Sequence, residues 1–190
     1  MTALRVNFLA VLLFLIGSSA SAWADDYTET IKIFKEAGAS AGFFGNSYGY
    51  AVFPTIGKGG IGIGGAYGKG RVYRKGAYVG NTSMTQLTVG WQLGGQGYSQ
   101  IIFFKDQRAF DEFTTGKFEF SAQATAVAIT AGASASTSTT GTSASASGGK
   151  HDATTAGSYH KGMATFTVAK GGLMYEASIG GQKFSYKPKK

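Results

Sequence analysis

The chain has no cysteine, only two prolines and only two histidines among 190 residues. Without thiols there can be no disulfide, thiolate metal site, thiol nucleophile or lipid-modified cysteine. Acids are scarce and unevenly placed: between Ala37 and Phe104 there is neither Asp nor Glu, while Lys58, Lys69, Arg71, Arg74 and Lys75 all fall in that interval. Beyond Asp152 the single acid Glu176 faces Lys161, Lys170, Lys183, Lys187, Lys189 and Lys190. A positive surface that no acid neutralises points to an anionic partner.

Catalytic signatures are missing too. His151 and His160 flank a stretch of Ala, Ser and Thr, and no G-x-S-x-G nucleophile elbow accompanies them, so they read as loop histidines. The ten acids show no paired metal-ligand spacing, and neither a metal nor any other cofactor is expected. The chain reads as non-enzymatic.

Glycine, by contrast, is abundant, at 30 residues. Gly57-x-Gly59-x-x-Gly62 and Gly60-x-Gly62-x-x-Gly65 fit a dinucleotide-loop spacing, but that motif needs a helix after it and an acid some 20 residues on. The segment after Gly65 is AYGKGRVYRKGAYVG, with no run of helix formers and no acid. Gly-Gly recurs in IGGAY (63–67), QLGGQGYS (92–99) and SIGGQKFS (178–185), each within a strand-like pattern, which predicts bends or bulges of a curled sheet.

The first two dozen residues, MTALRVNFLAVLLFLIGSSASAWA, combine a cation at Arg5, an apolar core from Phe8 to Ile16 and small residues at Ala20, Ala22 and Ala24. This is the pattern of a signal peptide over 1–24, its core too short to span a bilayer. The expected product is an exported chain, periplasmic or envelope-associated and without a lipid anchor. Removing Arg5 from the formal charge of +8 leaves +7 on residues 25–190, which read as one domain.

Within that domain DYTETIKIFKEA (26–37) predicts an amphipathic helix with Asp26 as cap and Tyr27, Ile31 and Phe34 on one face. SAGFFGNSYG predicts a second short helix or turn, and Tyr50 to Phe53 a strand closed by Pro54. From Thr85 to Leu93 the odd positions are apolar or Thr and the even ones polar or Gly, predicting a half-buried strand with Leu87 and its odd neighbours inward. IIFF at 101–104 should be buried on both faces. KDQRAFDEFTTG predicts a helix capped by Asp106 and stopped by Gly116, with strands returning over Phe118–Thr130 and twice within Gly162–Tyr186. ASASTSTTGTSASASGG, at about 133–150, reads as a low-complexity loop. The sum is a mainly β, α+β domain: a curled antiparallel sheet or barrel-like structure with an N-terminal amphipathic helix and one or two short helices.

The candidate binding site is the hairpin turning at Arg74-Lys75-Gly76. Lys58, Lys69, Arg71, Arg74 and Lys75 supply charge, and Tyr73 and Tyr78 supply amphipathic rings suited to a wet, headgroup-facing surface. Tyrosines among cations also line single-stranded nucleic-acid platforms, a use that export argues against, and no nucleic acid is expected.

Four ordered blocks, AVFPTIGKGGIGIGGAYGKGRVY, TVGWQLGGQGYSQIIFF, DQRAFDEFTTGKFEFSAQATAVAITAG and KGMATFTVAKGGLMYEASIGGQKFSY, resemble the SYLF-domain family of exported bacterial proteins and eukaryotic phosphoinositide-binding proteins. The resemblance covers nearly all of residues 25–190. It implies binding of anionic phospholipid through a basic surface aided by an N-terminal amphipathic segment. Yeast relatives also bind actin, a partner not expected for an exported bacterial chain. Two other readings fit the glycine-rich strands: a small outer-membrane β-barrel, or a structural envelope protein assembling through sheet edges.

Overall fold

The computed structural model describes residues 22–90, 96–129, 159–170 and 178–190. The expected signal segment up to residue 21, the low-complexity stretch at 133–150, His151 and the Gly94-Gly95 pair lie outside the described residues.

The N-terminal helix is α1 (Ala22–Glu36), followed by two single-turn helices, α2 (Gly38–Ala41) and α3 (Phe43–Asn46). Tyr27, Ile31 and Phe34 form the buried or half-buried stripe expected of α1, and Ser40 closes the corner by donating to the Phe34 carbonyl at 2.6 Å. The helices lie on one face of a mixed sheet of β1 (Gly49–Arg74), β2 (Ala77–Gly90), β3 (Gln96–Phe104), β4 (Val127–Ile129), β5 (Met163–Lys170) and β6 (Lys183–Pro188). Their spatial order is β4-β5-β3-β1-β2-β6. All pairs are antiparallel except β4 with β5.

β1 is unusually long because it doubles back on itself. Its first arm pairs with β3 and its second with β2. The two arms lie so close that a Cβ at Gly70 would stand 2.8 Å from the Val52 carbonyl oxygen, and Lys75 N donates to the Tyr48 carbonyl at 3.1 Å. The reversal occurs around Gly60, whose φ of +137° is open to glycine alone. Pro54 does not end the strand as expected. It sits at the register shift between Phe53 and Ile56, where a missing ladder donor is tolerated.

The sheet has two cores. IIFF supplies both: Ile101 and Phe103 point to the helix side with Phe34, Tyr50, Val52 and Phe166, while Ile102 and Phe104 join Phe53, Ile56, Met84 and Phe184 on the other. That second core is covered by α4 (Gln107–Thr114), which starts where the Asp106 side chain accepts from Ala109 N at 2.9 Å and buries Ala109, Phe110 and Phe113. The sheet is not closed into a barrel, so the barrel-like alternative does not describe it. Its two edges are instead laced by one segment: Glu119 bridges Lys183 and Thr125 bridges Ser178 beside β6, then β4 pairs with β5.

Two expectations are corrected. Gly64 and Gly65 lie in an unbroken register opposite Thr88 and Leu87, not at a bulge, whereas Gly180-Gly181 does turn, with Gly181 at φ +73°. The β2 alternation is inverted as well. Thr82, Met84 and Gln86 are buried and Leu87 is 85% exposed. The inward face at this end is polar and its amides are paired: Gln100 and Gln182 exchange amide hydrogen bonds at 2.9 and 3.1 Å, Gln182 also donates to the Tyr98 hydroxyl, and Gln86 donates to the Gly180 carbonyl at 2.8 Å. The Thr167 hydroxyl opposite Gln100 is buried with no hydrogen-bond partner among the described residues. Periodicity reveals that two faces differ; it does not reveal which one is inside once buried amides are paired.

Candidate functional site

The β1–β2 hairpin closes through a two-residue turn, Lys75-Gly76, with Arg74 paired to Ala77. Both turn residues have positive φ, 49° and 82°, as a type I′ turn requires. Behind the turn a bulge between Val72 and Tyr73 brings Tyr73 opposite Tyr78. Arg71 and Tyr73 then share the helix-side face of the ladder, while Val72 enters the other core.

On that face the rings gather around Arg71. Its guanidinium lies 4.2 Å from the ring centre of Tyr27 on α1 and 5.2 Å from that of Tyr78. Tyr73 stacks on Tyr50 at 5.0 Å and 18°, and Tyr78 donates to Asn81 Oδ1 at 2.8 Å. Burial raises the Tyr27 phenol above its ordinary pKa, with the Arg71 charge opposing it, so Tyr27 stays neutral beside the cation. Burial pushes Tyr50 up to about 12, with Tyr73 adding to it.

Of the residues expected in the site, the structure brings together Arg71, Tyr73, Arg74, Lys75 and Tyr78. Lys69 is exposed two residues down the ladder, opposite Ser83. Lys58 stands apart, opposite Gln96 toward the other end of the sheet. The sequence reading missed three contributors. Tyr27 arrives because α1 packs on this face. Lys187 pairs with Asn81, and Lys189 donates its backbone N–H to Val79 and places its ammonium 5.0 Å from the Tyr78 ring. The basic character of the last residues was visible, but only the β2–β6 pairing puts them beside the hairpin.

Among the described residues the ion pairs join Lys32 to Glu36, Arg108 to Glu112 and Lys183 to Glu119, and none holds a cation of this hairpin or Lys187 or Lys189. Also among the described residues, no group of three or more His, Asp or Glu is placed to hold a metal ion, and no helix is long and apolar enough to cross a membrane.

The profile of the Ysc84 family, described as Las17-binding protein actin regulator, matches residues 85–189, more than half of the chain, from within β2 through β6. Beta cell expansion factor A of Aeromonas veronii is similar to it at 28% identity over 158 residues, covering 83% of this chain and 52% of the relative. The chain thus spans about half the length of that curated relative. It belongs to the Ysc84, or SYLF-domain, family.

Proposed function

We propose that the protein is a non-enzymatic lipid-binding module that docks on anionic phospholipid head groups at a membrane surface of the cell envelope. Family membership suggests lipid binding. The observation that carries the finer reading is the group of Arg71, Arg74, Lys75, Lys187 and Lys189 around one hairpin end, with no carboxylate ion-paired to any of them among the described residues.

The magnitude is adequate. Each cation near an anionic membrane contributes about 1 kcal/mol, so five supply about 5 kcal/mol. That falls short of the roughly 8 kcal/mol of micromolar affinity, and binding is therefore reversible and salt-sensitive. An exported chain that carries no anchor suits such docking, with the mature N-terminus after Ala22 or Ala24; mass spectrometry finding the Met1 segment intact would remove that part of the reading.

Co-sedimentation with liposomes tests the function. Vesicles containing phosphatidylglycerol or cardiolipin should capture the protein and release it as salt rises, and vesicles of phosphatidylcholine alone should not. Equal capture by neutral vesicles, or none by either, would overturn it. The actin regulation in the family's description is not carried to this chain.

A further inference from the structure

The β1–β2 ladder carries a second surface that no cation explains. Leu87 is 85% exposed, Ile63 75% and Tyr67 51%. All three are odd-numbered residues on one face of the ladder, and the register makes them neighbours: Gly65 pairs with Leu87 and Tyr67 with Thr85, with Ile63 one pair of positions further on. Gly65, having no side chain, leaves Leu87 unshielded across the strand. Large apolar side chains clustered in the open mark a surface that meets something apolar.

The same face identifies the partner. Along β1 its odd positions run Ile63, Gly65, Tyr67, Lys69, Arg71, Tyr73, from apolar to aromatic to cationic. That order matches the layers of a bilayer surface, where apolar residues enter the acyl boundary, tyrosines sit at the interface and cations meet the phosphates. A second copy of this chain would fit poorly. It would set Lys69 and Arg71 against their own kind in a protein of formal charge +8.

We infer that the end of the ladder formed by Ile63, Tyr67 and Leu87 enters the acyl boundary of a phospholipid bilayer, with the ladder lying obliquely on its outer face so that Lys69 and Arg71 reach the head groups. This inference rests on the lipid-docking reading and adds an inserted, apolar component. The polar interior behind these residues is consistent with that role, because Gln100, Gln182 and Tyr98 bond to one another and Gln86 donates to the Gly180 carbonyl, which lets the apolar side chains face outward.

Because the chain has no cysteine, a single thiol can carry an environment-sensitive nitrobenzoxadiazole probe. The probe is placed in Leu87→Cys and, as a control on α4, in Gln107→Cys. With vesicles of phosphatidylcholine and phosphatidylglycerol, the probe at 87 should shift to the blue and be quenched by doxyl-labelled lipid, while the probe at 107 stays in water. If the protein co-sediments but the probe at 87 does not move, insertion is wrong and head-group docking stands. If nothing co-sediments, both readings fail. A blue shift that grows with protein concentration in the absence of vesicles would mean that a second copy covers the patch, and would overturn the inference. In the unlabelled chain, Ile63→Ser with Leu87→Ser should weaken vesicle affinity about tenfold or more at an unchanged melting temperature; unchanged affinity would also overturn it.

Discussion

The Arg71 guanidinium lies 4.2 Å from the ring centre of Tyr27, so one residue of the cationic hairpin also clamps the N-terminal helix to the sheet. Arg71 is half-buried, whereas Arg74 and Lys75 are exposed. Charge and stability are therefore coupled at position 71 and separable at 74 and 75.

Arg71→Ala should destabilise the fold by about 1 kcal/mol, since a partly desolvated cation over two rings contributes on that order. Arg71→Lys should recover the charge but only part of the stability, because the planar guanidinium stacks better than an ammonium. Urea denaturation of both variants checks this, and equal stabilities for Ala and wild type would remove the clamp.

Close backbone approach gives a second contrast. A Cβ at Gly70 would stand 2.7 Å from the Phe53 ring and 2.8 Å from the Val52 carbonyl oxygen, while one at Gly57 would meet nothing within 4 Å. Gly70→Ala should cost about 1–3 kcal/mol through forced movement of the paired arms, and Gly57→Ala should change stability by less than about 0.5 kcal/mol. Thermal melts of the two variants decide whether the two arms of β1 pack that tightly.

The Gln100–Gln182 pair is fully buried and reciprocal. Removing one amide leaves the other without its partner, so Gln182→Ala should cost about 2 kcal/mol or more, with the loss of packing added. Gln100→Met with Gln182→Met removes both polar groups and keeps volume, and should cost less than the single change. A double variant that is worse than the single would show that the pair stabilises beyond mutual satisfaction.

The architecture was largely legible in the sequence, and the reasons differ by element. α1 and α4 announced themselves because each has one apolar stripe, and α4 also has its Asp106 cap. The cap expected at Asp26 is not one, since α1 begins at Ala22 and Asp26 lies within it. IIFF lacked alternation because both faces of β3 are covered. The inverted face of β2 was not legible, since Gln86 looks solvent-facing until Gly180, more than ninety residues away, offers its carbonyl. The site was half visible for the same reason. The hairpin cations are local in sequence, but Tyr27, Lys187 and Lys189 reach them only through helix packing and β2–β6 pairing.

Alkaline pH should weaken the fold. Burial, with Tyr73 adding to it, holds the Tyr50 phenol at about 12 in the folded state, against about 10 in an unfolded chain. A raised folded pKa means that the stabilisation is complete below about pH 10 and is lost as pH rises toward 12, at up to about 1.4 kcal/mol per pH unit. Burial raises Tyr98 as well, so the loss is shared. Tyr50→Phe should flatten the decline in urea midpoints above about pH 10; a decline as steep as wild type would assign it to other groups.

Charge reversal at the exposed tip tests docking without disturbing the fold. Arg74→Glu with Lys75→Glu changes two exposed residues that have no ion-pair partner among the described residues, so stability should move by less than about 0.5 kcal/mol. Lys75 does lie 5.9 Å from the Tyr48 ring centre, but an exposed contact at that distance contributes little. Reversal removes two cations and adds two anions. At about 1 kcal/mol per charge it should lower affinity for anionic vesicles by two to three orders of magnitude. Adding Lys189→Glu should deepen the loss, because that ammonium lies 5.0 Å from the Tyr78 ring centre on the same surface. Raising salt should weaken the wild type in parallel, since exposed charges are screened over about 8 Å at physiological strength. If the double reversal binds like wild type at low salt, the hairpin tip is only a solvated face, and any lipid contact lies elsewhere on the sheet.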